Sequence, residues 1–203
     1  MGPGVETSFR LAEAFAYAER IHRSQYRKKT LASVLSHLMA VASLVLENGG
    51  DEEEAMAALL HDGPEDCAGQ ATLDEIRQLF GDRVAHIVEG CTDSMTDPKP
   101  PWRERKSHYI AHLPAADESI LLVSLADKVH NVRSLVVEYR SVGEALWQRF
   151  FASREESLWY YASLLQVFEE TRSTRSAVLV RELGGALQEL HLLIEDTEIA
   201  AED

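Results

Sequence analysis

The sequence is poor in cysteine and lacks long hydrophobic runs. Its 203 residues contain two cysteines, Cys67 and Cys91, which do not form a disulfide framework and fit a reducing cytosol. The longest apolar run, residues 38–46, contains Ser43 and is far too short to span a membrane. The N-terminus lacks the basic segment and the following apolar segment of a secretory signal. We therefore expect a cytoplasmic protein that does not bind membranes.

Basic residues are also scarce. Lysine and arginine number 20 against 34 aspartates and glutamates, which gives a net charge of −14. A general nucleic-acid binder needs positive charge opposite the phosphates, so we expect no nucleic-acid partner. With 45% hydrophobic and 27% charged residues, the composition is that of a globular protein. The chain is long enough to bury a sizeable core.

Apolar residues recur at helical spacing along the whole chain. Thr7 and Asp51 are predicted to cap two of the helices. Residues 72–75 and 153–156 have the sequence of capping boxes and are predicted to open two more. No alternating strand pattern of useful length is present, and no internal repeat or low-complexity linker. The fold class predicted is therefore all-α.

We predict one domain, a helical bundle over residues 1–203. Its core is expected at about 8–170 and a C-terminal helix at about 176–195. The short acidic tail after Asp196 is expected to fray.

Four side chains could form a metal site: His37, the adjacent pair His61 and Asp62, and Asp127. Imidazole and carboxylate suit Mn²⁺, Fe²⁺ or Zn²⁺. Neighbours on a helix point about 100° apart, but Gly63-Pro64 ends the helix and lets the pair converge. Taken singly, His37 could be a core histidine and Asp127 could pair with a lysine or arginine. Taken together, with Asp127 following an apolar run that buries it, the four favour a metal.

Other polar residues stand beside these four. Glu65 and Asp66 follow the His-Asp pair by one turn and could hold and deprotonate a water at the metal, or could lie in a solvated acidic loop. Asn131 lies four residues after Asp127, on the same helix face. It could contact a ligand of the metal or be a surface residue. His130 is predicted to be a surface or packing residue.

Two basic clusters interrupt the acidic sequence. One includes Arg27 and Lys28, shortly before His37, and the other includes Arg105 and Lys106. Near a metal, both would suit a phosphate-rich ligand; without one, they would be ordinary surface charge. The aromatic residues between 147 and 161 are predicted to be core.

At this point the chain resembles a known family. His37, His61, Asp62 and Asp127 resemble the metal-binding set of the HD-domain phosphohydrolases. More narrowly, the chain is similar to the hydrolase domain of the RelA/SpoT homologues and to the small alarmone hydrolases. The matching segments fall in order between about residues 8 and 170: 22–28, 36–42, 57–66, 80–81, 92–93, 104–106 and 125–133.

The resemblance implies an all-helical enzyme with one Mn²⁺ that hydrolyses the 3′-pyrophosphate of (p)ppGpp-type nucleotides, releasing pyrophosphate and GDP or GTP. It implies four metal ligands, two residues that orient and activate water, and a set that contacts the nucleotide. The ligands would be His37, His61, Asp62 and Asp127, the water-activating residues Glu65 and Asp66, and the nucleotide contacts Arg27, Lys28, Arg105, Lys106, Asn131 and Arg154.

The chain departs from the family at two places. Ser33-Val34 stands where the family usually has Pro-Tyr, and Tyr26-Arg27 where it has paired arginines. Guanosine and adenosine alarmones therefore both stay open as substrates. The alternatives are a broader HD phosphatase acting on NADPH or simple nucleotides, and a non-catalytic nucleotide sensor. Glu65 and Asp66 disfavour a sensor, which needs no water activator. The sequence is compatible with either a monomer or an oligomer.

Overall fold

A computed structural model of the protein describes residues 8–27 and 32–202, with side chains up to residue 199. Over these ranges the chain forms helices joined by short connections, and the predicted all-α class is confirmed. The 3₁₀ turns are Leu113–Ala115 and Gly143–Arg149. The α-helices are α1 Phe9–His22, α2 Val34–Glu47, α3 Glu52–Leu60, α4 Gly63–Asp66, α5 Gln70–Phe80, α6 Asp82–Cys91, α7 Trp102–His112, α8 Glu118–Val142, α9 Arg154–Glu170 and α10 Ala177–Glu202.

Side-chain caps fix where several helices begin. The Asp51 side chain accepts from the backbone N–H of Glu54, and the Glu54 carboxylate accepts from the backbone N–H of Asp51. The predicted cap is therefore a full capping box. The capping box predicted at Ser153 and Glu156 is confirmed in the same way. Ser8 caps α1; the predicted cap Thr7 lies outside the described residues.

The capping box predicted at residues 72–75 is wrong. Helix α5 begins at Gln70, two residues earlier, because Gly69 turns the chain with φ +57°. A Cβ at this position would lie 2.6 Å from the Met95 carbonyl oxygen, so both the turn and the close approach need glycine. Thr72 accordingly lies inside the first turn, where its hydroxyl accepts from the Ala68 N–H at 3.0 Å.

Helix α8 lies at the centre of the bundle. It packs against α2, α3, α6, α9 and α10, and Leu125, Val129 and Val132 along it are fully buried. Because neighbours cover it on several sides, a polar residue on α8 is held in a dry and fixed environment. No helix among the described residues is both long enough and apolar enough to cross a bilayer.

The predicted fraying after Asp196 is wrong, since α10 continues to Glu202. Its apolar stripe packs on α8, and two contacts hold its last turns. Thr197 donates to the Leu193 carbonyl at 2.8 Å, and Glu198 accepts from Arg154 at 2.7 Å. The buried stripe consists of Leu179, Leu183, Leu187, Leu190 and Ile194.

Two glycines provide a matched test of packing between α6 and α8. A Cβ at Gly90 would lie 2.7 Å from Ile120 Cγ1 and 2.9 Å from Cγ2, whereas no described atom lies within 4 Å of a Cβ at Gly185. Overpacking costs about 1–3 kcal/mol, more than the roughly 1 kcal/mol that alanine gains over glycine in a helix. We expect Gly90→Ala to lower the free energy of unfolding and Gly185→Ala to raise it, as measured by urea denaturation. Equal shifts would contradict the close packing at Gly90.

Candidate functional site

Three of the predicted metal ligands meet in the interior. His37 comes from α2, His61 follows the last residue of α3, and Asp127 comes from the middle of α8. One ligand atom from each lies within 4.8 Å of the others. Each residue is at most 6% exposed. Buried imidazoles and a buried carboxylate at this spacing form a donor set of the kind that binds first-row transition metals.

Asp62 completes the group at its more open side. Its Oδ1 lies 3.2 Å from His61 Nε2, and its Oδ2 lies 3.7 Å from His37 Nε2. The adjacent residues converge because α3 ends at Leu60 and a new short helix begins at Gly63. We call His37, His61, Asp62 and Asp127 the His-Asp cluster.

His61 presents an unsatisfied nitrogen to this cluster. Its Nδ1 lies 2.8 Å from the Ala58 carbonyl oxygen, which can only accept, so Nδ1 carries the proton and Nε2 has the lone pair in the neutral ring. Among the described residues the buried Nε2 has no hydrogen-bond partner. A buried acceptor left without a donor and facing two carboxylates fits a cation.

The charges of the cluster also fit a cation. Burial alone lowers the pKa of His61, but the carboxylates of Asp62 and Asp127 outweigh it and raise that pKa to about 9. Burial raises the pKa of Asp127, yet Lys128 and the two histidines hold it well below its usual range. Asp127 is therefore a carboxylate, and the negative potential that draws a proton to His61 would also attract a divalent ion.

Two further contacts of Asp127 come from its own helix. Lys128 Nζ pairs with Oδ2, while Asn131 Nδ2 donates to Oδ1. His37 Nε2 lies 3.1 Å from the same Oδ1. Asp127 thus pairs with lysine, as one reading of the sequence allowed, and faces the cluster as well.

Sequence reasoning missed His130, which is a half-buried neighbour of the cluster and not a plain packing residue. Its Nδ1 lies 2.7 Å from His37 Nδ1 and 3.1 Å from Arg27 Nη1. Burial, His37 and Arg27 together lower its pKa to about 4, so the ring is neutral at pH 7. A signal was present, because His130 follows Asp127 by three residues and shares its helix face.

Arg27 is brought to the same place. Its Nη2 donates to Asn131 Oδ1 at 2.8 Å, while Nη1 contacts His130. Lys28 lies outside the described residues.

Glu65 lies in α4, just past the cluster. Lys99 Nζ is 3.0 Å from its Oε1, and Arg105 Nη1 is 3.8 Å from it. Burial and the charge of Asp93 raise the pKa of Glu65 against the opposing effect of Lys106 and Lys99. Asp66 is exposed, and its backbone carbonyl accepts from Gln25.

Asp93 organises the second basic cluster and was not singled out as a site residue from the sequence. Arg105 Nη1 lies 2.6 and 2.7 Å from its two oxygens, and Lys106 Nζ contacts it as well. Burial alone would raise the pKa of Asp93, but the two cations lower it. One carboxylate between two cations leaves a net positive charge beside Glu65.

A cavity of about 200 Å³ adjoins the His-Asp cluster. Lys106, Lys128 and Asn131 supply its polar wall, and Trp102, Tyr160 and Tyr161 supply aromatic surface. The aromatic residues were predicted to be core; this is wrong for Phe151, which is 93% exposed at the rim. Cations and aromatic rings beside a candidate metal site could accommodate a phosphorylated ligand with an aromatic ring.

Comparison with known proteins identifies the family. A protein-family model for the HD domain matches residues 14–157, more than half of the chain. The chain belongs to the HD-domain family.

Similar HD proteins include named hydrolases. The guanosine-3′,5′-bis(diphosphate) 3′-pyrophosphohydrolase MESH1 of Danio rerio is 34% identical over 171 residues, which cover 83% of this chain and 87% of that protein. The Homo sapiens protein of the same name is 39% identical over 128 residues, covering 62% and 69%. A GTP pyrophosphokinase of Streptomyces antibioticus is 35% identical over 66% of this chain, but the match covers 16% of that protein.

Solved structures agree in fold. One, described as a metazoan ortholog of SpoT that hydrolyses ppGpp and plays a role in starvation responses, superposes with a TM-score of 0.74. It is 27% identical, and the match covers 92% of this chain and 98% of that one. A Listeria monocytogenes EGD-e protein matches with a TM-score of 0.64, 27% identity and coverage of 75% and 99%.

Three predicted nucleotide contacts, Arg27, Arg105 and Arg154, do not line this cavity among the described residues. Arg27 contacts Asn131, which lines it, and Arg105 lies near Glu65, whereas the contacts of Arg154 lie elsewhere.

Arg154 begins α9, and its guanidinium contacts Glu198 at 2.7 Å and Glu144 at 3.4 Å. It is absent from the cavity lining among the described residues. Its predicted phosphate contact therefore has no support from these distances and stays a prediction.

Proposed function

We propose that the chain is a Mn²⁺-dependent hydrolase that removes the 3′-pyrophosphate of (p)ppGpp-type nucleotides. Water would attack the phosphorus attached to O3′, the O3′–P bond would break, and a 5′-nucleotide with a free 3′-hydroxyl would leave together with pyrophosphate. The observation that carries this is the buried His-Asp cluster, in a chain whose similarity to a named 3′-pyrophosphohydrolase extends over 87% of that protein.

The metal would be held by His37, His61, Asp62 and Asp127. Their support is that His61 Nε2 has no hydrogen-bond partner among the described residues and that the carboxylates of Asp62 and Asp127 face it. Mixed imidazole and carboxylate donors suit Mn²⁺, Fe²⁺ or Zn²⁺, and we propose Mn²⁺ among them because the resemblance implies it. When bound, a divalent ion supplies Lewis-acid chemistry that makes water more acidic and neutralises phosphoryl charge.

Glu65 would accept the proton of the attacking water. Burial and Asp93 raise the pKa of this carboxyl, which makes it a better proton acceptor than an ordinary surface glutamate. Lys99 and Arg105 hold it from one side. Asp66, in the same helix turn, would orient the water.

The phosphates would lie between two groups of cations. Lys106 and Lys128 line the cavity, and Arg27 donates to Asn131, which also lines it. Local positive charge can attract a polyphosphate to an acidic protein, because at physiological salt charges more than about 8 Å away are largely screened. We propose that Arg27, Lys106, Arg105 and Asn131 contact the nucleotide; Lys28 and Arg154 join them on the resemblance alone.

A substrate panel tests this function. Purified protein with Mn²⁺ would be given ppGpp, ppApp, GTP and NADPH, with pyrophosphate and phosphate measured separately. Pyrophosphate from the 3′-substituted nucleotides alone would support the proposal, and its ratio between ppGpp and ppApp would give the purine preference. Phosphate from NADPH or GTP would favour a broader phosphatase instead, and binding without turnover would favour a sensor.

Arg27 gives a prediction about substrate binding. Hydrogen bonds to charged groups contribute about 1.5–3 kcal/mol, so Arg27→Ala should raise KM for ppGpp about 10-fold or more. The control is Arg23→Ala, because Arg23 pairs with Glu19 at the surface, where its side chain is 74% exposed. Steady-state kinetics on both variants measures the difference. An unchanged KM in Arg27→Ala would remove Arg27 from the nucleotide site.

A further inference from the structure

We propose that His130 is a positioning residue that holds the His37 ring with Nε2 directed into the metal site. The inference rests on the proposed function for the existence of that site. It concerns a residue that touches neither the cluster carboxylates nor the cavity in the described contacts, and that acts through His37.

The proton positions follow from the partners. Arg27 has donors only, so the 3.1 Å contact between its Nη1 and His130 Nδ1 requires His130 Nδ1 to accept. That nitrogen therefore carries no proton. His37 Nδ1, at 2.7 Å from the same atom, must then be the donor.

The consequence appears on the other side of the His37 ring. A neutral imidazole that carries its proton on Nδ1 has its lone pair on Nε2. His37 Nε2 lies 3.1 Å from Asp127 Oδ1 and 3.7 Å from Asp62 Oδ2. With a metal bound among these atoms, the Nε2 lone pair would point at the ion; without one, the contact with the Asp127 carboxylate is a hydrogen bond that Nε2 donates. The hydrogen bond that His37 Nδ1 donates to His130 selects the form of His37 that can bind a metal.

The two histidines of the cluster reach this form by different means. His61 donates from Nδ1 to the backbone carbonyl of Ala58, a partner that no side-chain substitution removes. His37 donates to a side chain, so its orientation can be changed by mutation at one position. Outer partners of this type typically change metal affinity or activity 10- to 100-fold when removed.

Two variants separate the hydrogen bond from the volume of the ring. In His130→Leu the acceptor is lost, and we expect the Kd for Mn²⁺, measured by electron paramagnetic resonance of the free ion, to rise about 10- to 100-fold. In His130→Asn the side-chain oxygen can take the place of Nδ1, and affinity should return to within about threefold of the unsubstituted protein. The matched control is His191→Leu on α10, where the histidine contacts the Leu187 carbonyl; it should leave the Kd unchanged.

The Nδ1 proton can be located directly by NMR. Long-range proton–nitrogen NMR of the ¹⁵N-labelled protein loaded with diamagnetic Zn²⁺, with His37 assigned by its loss in His37→Gln, should show the His37 proton on Nδ1 and none on Nε2. In His130→Leu this Nδ1 signal should shift or broaden, because its hydrogen-bond acceptor is gone. Neither measurement involves a nucleotide.

The outcomes distinguish this inference from the proposed function. If the Zn²⁺-loaded unsubstituted protein carries the His37 proton on Nε2, or if His130→Leu binds Mn²⁺ as tightly as His191→Leu, His130 has no positioning role. If His130→Asn is as weak as His130→Leu, the acceptor is not what matters, and the inference is also overturned. A protein that shows the Nδ1 proton and these Mn²⁺ affinities but releases no pyrophosphate would contradict the proposed function alone.

Discussion

Asp127→Ala is expected to abolish Mn²⁺ binding and, with it, pyrophosphate release. Asp127 is the group on which both histidines of the cluster converge, with Oδ1 3.1 Å from His37 Nε2 and 3.8 Å from His61 Nε2. Its pKa is held well below the usual range, against the effect of burial, so the substitution removes a full negative charge from a dry site. Little would then offset the cost of bringing a divalent ion into that interior.

The substitution also leaves Lys128 without its pairing carboxylate, so folding has to be measured separately. Asp127→Asn keeps the shape and removes the charge, and it should lose the metal while melting close to the unsubstituted protein. Asp117→Ala is the opposite control, since Asp117 caps α8 away from the cluster. It should lose about 1 kcal/mol of stability and keep the metal.

Mn²⁺ titration and melting curves on the three variants distinguish these cases. If Asp127→Asn bound Mn²⁺ with unchanged affinity, the cluster would not be the metal site, and the proposed function would lose its main support.

Most of the helical architecture follows from local sequence, because apolar spacing and caps act over a few residues. Asp51 and Ser153 cap the helices they were predicted to cap. The cap predicted at Thr72 is wrong because the start of α5 depends on a tertiary contact. Gly69, which the Met95 backbone approaches closely, begins the helix earlier. Glu198 likewise holds the end of α10 through Arg154, 44 residues away, which no local pattern can reveal.

The residues of the candidate site are also of two kinds: those that local sequence indicates and those that only the packing of the helices brings together. His37 and Asp127 stand out as polar residues in apolar helices, and the His-Asp pair stands out because Gly63-Pro64 follows it. The supporting contacts of Arg27 and Lys99 depend on how distant helices pack, and sequence spacing does not predict them. His130 was detectable on helix geometry, but its role depends on a ring from α2 that only the packed bundle brings near.

The extent of the domain stays a prediction. The HD match ends at residue 157, before most of α9 and all of α10. The packing of α10 on α8 supports our proposal that the whole chain is one domain, because α8 carries Asp127 and would lose its cover without α10.

Glu65→Gln is expected to keep the metal and slow turnover by roughly 10²-fold or more, the usual size of a general base contribution. The amide keeps the shape of the carboxylate but cannot take a proton from water. Glu65 is not one of the clustered ligands, and its Oε1 is 3.0 Å from Lys99, so Mn²⁺ affinity should change little. Glu65→Ala should lower kcat to a similar extent, because the function lost is the same.

The matched control for Glu65 is a surface glutamate. Glu89→Gln removes a surface glutamate that pairs with Arg77 and should leave kcat unchanged. Loss of Mn²⁺ from Glu65→Gln would make Glu65 a ligand, whereas normal turnover with metal bound would transfer the base role to Asp66. Because Asp66 is exposed, whereas Glu65 is half-buried and pairs with Lys99 and Arg105 through Oε1, the geometry favours Glu65 as the proton acceptor.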